Sequence, residues 1–165
     1  MATDYDPQKA HEYYEKHKKL KGRHSTKGMS QRQKEQWSYA KAQLQAEHKE
    51  NNNELSLAAK AQKEALTEST KRKRERMAQQ ASSAINRLRT QLQSLPPEQR
   101  KALRQNVSDM CAQLRADLKT DRAALTDKTK ARRERITADT KAARERESKS
   151  YEAKKDAAYK HIKGR

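Results

Sequence analysis

Leu88-Arg89-Thr90-Gln91-Leu92-Gln93-Ser94-Leu95-Pro96-Pro97-Glu98-Gln99-Arg100-Lys101-Ala102-Leu103, residues 88–103, holds the only two prolines between Met29 and Ile162, a span without glycine. The ring of a proline pushes the residue before it out of helical geometry. Pro97 is suited to the first position of a new helix, and Glu98 is favourable beside that helix's positive end. On both sides the chain is rich in Ala, Lys, Arg, Gln, Glu and Leu, the strong helix formers. The stretch therefore predicts a turn between two long helices, one from about Ser30 to Gln93 and one from Pro97 to about His161. At 1.5 Å per residue each arm would be roughly 95 Å long.

The apolar pattern gives the arms a common face. Leu44, Leu55, Leu66, Met77 and Leu88 stand eleven residues apart, and after the prolines the step resumes at Leu103, Leu114, Leu125 and Ile136. Eleven residues close three helical turns, so each ladder is one seam on a nearly straight or slightly right-handed helix. Helix–helix connections are usually short, so the arms are expected to fold back about the Leu95–Pro96 bond. That register opposes Leu88 to Leu103, Ile85 to Val107, Ala81 to Met110, Met77 to Leu114, Leu66 to Leu125 and Leu55 to Ile136. The expected fold is all-α: an elongated antiparallel helical hairpin turning at Pro96-Pro97, with a short N-terminal helix. Its core should be thick near the turn and thin further out, where a partner would be needed.

Asp6 before Pro7 has the form of an N-cap followed by proline at the first helical position. A head helix from about Pro7 to Lys21 could end at Gly22, with His24 to Gly28 as a linker. Ser30 and Gln33 form a candidate capping box. The expected divisions are residues 1–28 (head and linker), 29–95 (first long helix) and 96–165 (second).

Composition sets further bounds. The chain is 32% hydrophobic, lacks Phe and has mean hydropathy −1.45, far from the roughly 45–50% apolar content of ordinary globular domains. A large central core is not expected. The single cysteine, Cys111, excludes an internal disulfide and falls on the seam, where a buried thiol is expected. No apolar run approaches the roughly 20 residues that span a bilayer, and the acidic N-terminus is unlike a secretory signal.

The net charge of +18 is spread along the chain, at +3 for residues 1–28, +6 for 29–95 and +9 for 96–165. Two dense clusters stand out, Lys71, Arg72, Lys73, Arg74 and Arg76, and Lys128, Lys130, Arg132, Arg133 and Arg135. In the expected register they do not oppose each other and form two separate basic bands. Such clusters bind phosphates by releasing condensed counterions, without reading base sequence. The bland alternative is a solvated face balanced by Glu three or four residues away. Zinc-finger spacings, RNP-like aromatic patterns and bZIP arrangements are missing. So are G-x-S-x-G, P-loop and H-E-x-x-H motifs, so no catalytic residue, metal ligand or cofactor is expected. The five histidines read as exposed polar residues. Tyr5, Tyr13, Tyr14, Trp37 and Tyr39 are concentrated in the first 39 residues. The hairpin would bring Tyr151 opposite residue 40 and Tyr159 opposite residue 32. These aromatics could anchor a partner or close the hairpin's own open end.

Tyr5-Asp6-Pro7-Gln8-Lys9-Ala10-His11-Glu12-Tyr13-Tyr14, then Leu20-Lys21-Gly22-Arg23 and Lys34-Glu35-Gln36-Trp37, resembles the opening of small basic helical proteins encoded among the head genes of tailed bacteriophages. The resemblance is carried by residues 5–39. It implies a phage setting, a virion location (capsid interior or neck) after assembly in the host cytoplasm, and no mechanism or catalytic residues. The leading expectation is a non-enzymatic virion protein that docks on a capsid or portal component and contacts packaged DNA non-specifically. The alternatives are a phage assembly or scaffolding protein acting by coiled-coil self-association, and a non-phage nucleoid or RNA-binding protein. A homo-oligomer is compatible with each of them; a membrane is not an expected partner.

Overall fold

The structure is a computed structural model and describes residues 24–164. The head helix expected at Pro7–Lys21, with Tyr5, Tyr13 and Tyr14, lies outside these residues. Two long helices pack against each other as a helical hairpin, α1 over Gln31–Gln93 and α2 over Pro97–Lys163. No strand is present among the described residues.

The helix ends follow local chemistry. Ser30 N donates to Gln33 Oε1 at 2.8 Å and Gln33 N donates back to Ser30 Oγ at 3.3 Å, so the capping box forms and satisfies two otherwise orphaned donors. Gly28 precedes it with φ of +82°, a backbone conformation that suits glycine because it lacks a Cβ. At the turn, Pro97 starts α2 and Glu98 lies in its first turn. Arg100 adds a brace: its guanidinium donates to Gln93 O at 3.1 Å and to Leu95 O at 3.0 Å. These carbonyls lie at the end of α1, where the helix runs out of its own donors.

Contacts divide the hairpin into two units, Met1–Glu54 with Ala143–Arg165, and Leu55–Ala142. In the Leu55–Ala142 unit the arms meet in a register other than the expected one. Thr70 Oγ1 meets Thr129 Oγ1 at 3.1 Å, whereas folding about Leu95–Pro96 would have opposed residue 70 to residue 121. The partner therefore lies about eight residues further along α2, some 12 Å at the helical rise. Arg74 reaches Thr126 at 2.7 Å and Arg133 reaches Thr67 at 2.6 Å, in agreement with that offset. Leu103 and Met110, expected in the seam, are 41% and 52% exposed, whereas Cys111 is buried, as its seam position predicts.

The reason lies in a second ladder. Ala59, Thr70, Ala81 and Leu92 on α1, and Val107, Leu118, Thr129 and Thr140 on α2, also step by eleven and are half-buried or buried. The Thr70–Thr129 contact, carried along by elevens, sets these positions opposite each other. Short side chains at several of them let the backbones approach closely. Leu66 and Leu125 then fall between the layers instead of abutting end to end. Each Thr hydroxyl also reaches a carbonyl one turn back in its own helix, Leu66 O at 2.8 Å and Leu125 O at 2.7 Å. A polar atom in the seam is thereby satisfied without a partner chain.

The other unit is closed by aromatic packing. Trp37 and Tyr159 meet edge to face with centroids 5.3 Å apart, and His24 sits 5.3 Å from Trp37 and 5.0 Å from Tyr159. Residue 159 was expected opposite residue 32, so the offset appears here as well. The segment before α1 is tied onto α2: Tyr159 Oη donates to Ser25 O at 2.5 Å, and His24 Nε2 lies 2.6 Å from Asp156 Oδ1. Gln33 Nε2 donates to Ile162 O at 3.1 Å. Met29, Trp37 and Ile162 are buried to 6%, 5% and 8% exposure. This corrects the expectation of a thin outer core, since three of the five buried apolar side chains of the described residues lie in this unit. The sequence pattern weighs only the ladders, and the burial comes from a third layer, the 24–29 segment folded against both helices.

A polar layer follows within the same unit. His48 stacks on Tyr151 at 4.5 Å, and its Nδ1 lies 3.3 Å from Glu147 Oε1. Asn51 Nδ2 donates to the same oxygen at 3.0 Å. The hydrogen bond from Asn51, then the one from His48 with the His48 and Lys154 charges, hold the Glu147 carboxyl below its ordinary value, against the opposing effect of desolvation. Lys154 pairs with Glu47, whose hydrogen bond and charge raise the ammonium above its ordinary value. His24 and His48 are therefore packed residues, not the exposed ones expected.

Candidate nucleic-acid interface

The offset register changes the geometry of the two basic clusters. Both lie in the Leu55–Ala142 unit, on neighbouring turns of facing helices. The expectation of two separate bands is corrected: the clusters form one band centred on the Thr70–Thr129 contact. A displacement of about eight residues, roughly two helical turns, is enough to convert one arrangement into the other.

Two antiparallel helices leave a groove on each side of their seam. On one side a groove of about 600 Å³ is lined by Thr67, Lys71, Arg74, Thr126, Lys130 and Arg133, together with Arg122, Glu75 and Glu134. Arg74 and Arg133 are braced across it by the threonine hydroxyls of the facing helix, at 2.7 and 2.6 Å. A guanidinium that donates one N–H to a hydroxyl oxygen keeps its other N–H groups available, and Arg offers a planar fork that suits phosphate. On the opposite side a groove of about 350 Å³ is lined by Lys73, Lys128, Arg132 and Arg135, with no acidic residue among its lining. Along α1 from it, Arg76 lines a further recess with Lys73, Lys128 and Asp121. Arg72 is exposed on α1. Thr70 and Thr129 line both main grooves and so form the floor between them.

Arg122, Thr67 and Thr126 were not singled out in the sequence, because Arg122 stands outside both dense clusters. The signal was present in the spacing. Residues 122, 126, 129, 130 and 133 recur on one side of α2 at intervals of three and four, which share a helix face.

At the aromatic end, Trp37 faces His24 and Tyr159 and closes the chain's own end. Tyr39 is exposed, and its hydroxyl accepts from Gln43 Nε2 at 2.8 Å. Among the described residues no group of three or more His, Cys, Asp or Glu side chains is placed to hold a metal ion. No helix among them is long and apolar enough to cross a membrane. Comparison with known proteins returns no relative: no family model matches the chain, and no curated protein or solved structure matches it.

Proposed function

We propose that this chain is a non-enzymatic virion protein of a tailed bacteriophage that holds packaged DNA without reading its sequence. The observation that carries the DNA part is the convergence of Lys71, Lys73, Arg74, Lys128, Lys130, Arg132, Arg133 and Arg135 around one contact, Thr70–Thr129. Phosphate contacts of this kind supply affinity through counterion release. The phage setting rests on the resemblance in residues 5–39; docking on a capsid or portal component through Tyr5, Tyr13, Tyr14 and Tyr39 rests on the concentration of aromatics in that segment and on the exposure of Tyr39.

A salt titration of duplex DNA binding tests the first part. Four phosphate contacts in one groove give log K against log salt a slope of about −3.6, so affinity should fall about a hundredfold between 50 and 200 mM salt. Absence of binding even at low salt would overturn it. A second reading, an assembly or scaffolding protein that self-associates, is favoured by the exposed apolar side chains Leu57, Leu103 and Met110. Mass spectrometry of purified mature particles separates the two: stoichiometric presence supports the virion protein, and absence supports the scaffold.

A further inference from the structure

The two grooves share only Thr70 and Thr129 among their lining residues. Their cations are distinct: Lys71, Arg74, Lys130 and Arg133, with Arg122 further along, on one side, and Lys73, Lys128, Arg132 and Arg135 on the other. On α1, residues 71 and 74 lie to one side of Thr70 and residue 73 to the other, as 100° per residue requires. On α2, residues 130 and 133 fall to one side of Thr129, and 128, 132 and 135 to the other. Among the described residues, the Leu55–Ala142 unit consists of the two helices, with no further layer over either side.

We propose that one chain bridges two DNA duplexes, one in each groove, so that it links neighbouring DNA segments in addition to binding them. This rests on the DNA-binding reading above. A duplex is a stiff rod with a persistence length of about 50 nm. It cannot wrap a body two helices thick within a few base pairs, so a duplex in one groove leaves the opposite groove free for a second. The two sites differ in character. One fixes two guanidiniums by threonine hydroxyls and carries Glu75 and Glu134; the other has no acidic residue in its own lining, Asp121 lying in the adjoining recess.

The test uses the full chain, an immobilised duplex and a fluorescent duplex of unrelated sequence in solution. The unmodified chain should capture the fluorescent duplex on the immobilised one, and titration should give two duplexes per chain. Two variants each neutralise one groove: Lys71→Gln with Arg74→Gln, Lys130→Gln and Arg133→Gln, and Lys73→Gln with Lys128→Gln, Arg132→Gln and Arg135→Gln. Each should bind one duplex per chain, with weaker overall retention, and lose capture at least about tenfold. Helicity by circular dichroism checks that each variant is folded, and sedimentation checks that the unmodified chain does not bridge as a dimer with one site per copy. Bridging is overturned if either folded variant captures as well as the unmodified chain, if one variant loses all binding while the other loses none, or if capture follows dimer concentration. Failure of the unmodified chain to bind any duplex at low salt overturns the DNA-binding reading itself.

Discussion

Trp37→Ala is expected to lower unfolding stability by about 3 kcal/mol or more, the range for removing a large aromatic from a packed site. Trp37 is the chain's only tryptophan and is 5% exposed. It contacts Tyr159 edge to face, a geometry that adds about 0.5–1.5 kcal/mol beyond burial, and it also packs on His24. Among the described residues of that unit, Met29 and Ile162 are the other buried apolar side chains. A cavity there has few neighbours able to collapse into it. Urea denaturation followed by circular dichroism measures the loss. Hydrogen exchange should show it concentrated in residues 31–54 and 143–163. Trp37→Phe should retain most of the stability, because a ring remains against Tyr159. A loss under about 1 kcal/mol for the alanine variant would mean that the 24–29 segment and Tyr159 hold the unit without the indole.

Neutralising both grooves together, with Gln at Lys71, Lys73, Arg74, Lys128, Lys130, Arg132, Arg133 and Arg135, should cost at least about a hundredfold in DNA affinity at 50 mM salt. It should also flatten the salt dependence by the −3.6 or so that four contacts contribute. These side chains are exposed, so surface charges of this kind are expected to change folding stability little. Relief of like-charge repulsion across the seam should, if anything, favour the helices. Fluorescence anisotropy with a labelled duplex checks the affinity, and circular dichroism the helicity. If the eightfold variant binds with an unchanged salt slope, the remaining cations of the chain carry the binding and the band does not.

Much of the architecture was legible because it is set by local rules. Pro96-Pro97, Ser30 with Gln33, and Gly28 mark helix ends by chemistry that needs no distant partner. The all-helical hairpin follows from those marks and from the apolar step of eleven. Register was not legible. Two ladders of equal period match in several alignments, and what decides among them is the fit of side chains across the seam. Thr70 and Thr129 are compatible with the seam only when facing side chains leave them room, and a reading of apolar residues alone passes over the threonines. The error in register carried over to the candidate site, since the union of the two basic clusters depends on it. His24 and Ser25 went unrecognised for a different reason. Their partners, Asp156 and Tyr159, lie more than 130 positions away, and no periodicity links a linker residue to a helix.

The seam of interleaved elevens also sets a rule for length. Each step is about 16.5 Å of helix, and it returns every side chain to the same face. Lengthening or shortening one arm of the Leu55–Ala142 unit alone would throw Thr70 and Thr129 out of alignment. Removing one step from both arms would leave each surviving layer with a facing layer of the same kind. The arms thus have a unit of growth: a matched insertion or deletion of eleven residues preserves the step of both ladders, while a change of seven turns the face by only about 30° but breaks the step of eleven. In this sense the hairpin is a ruler graduated in elevens, and sequences built on the same plan should differ in length by whole graduations on both arms.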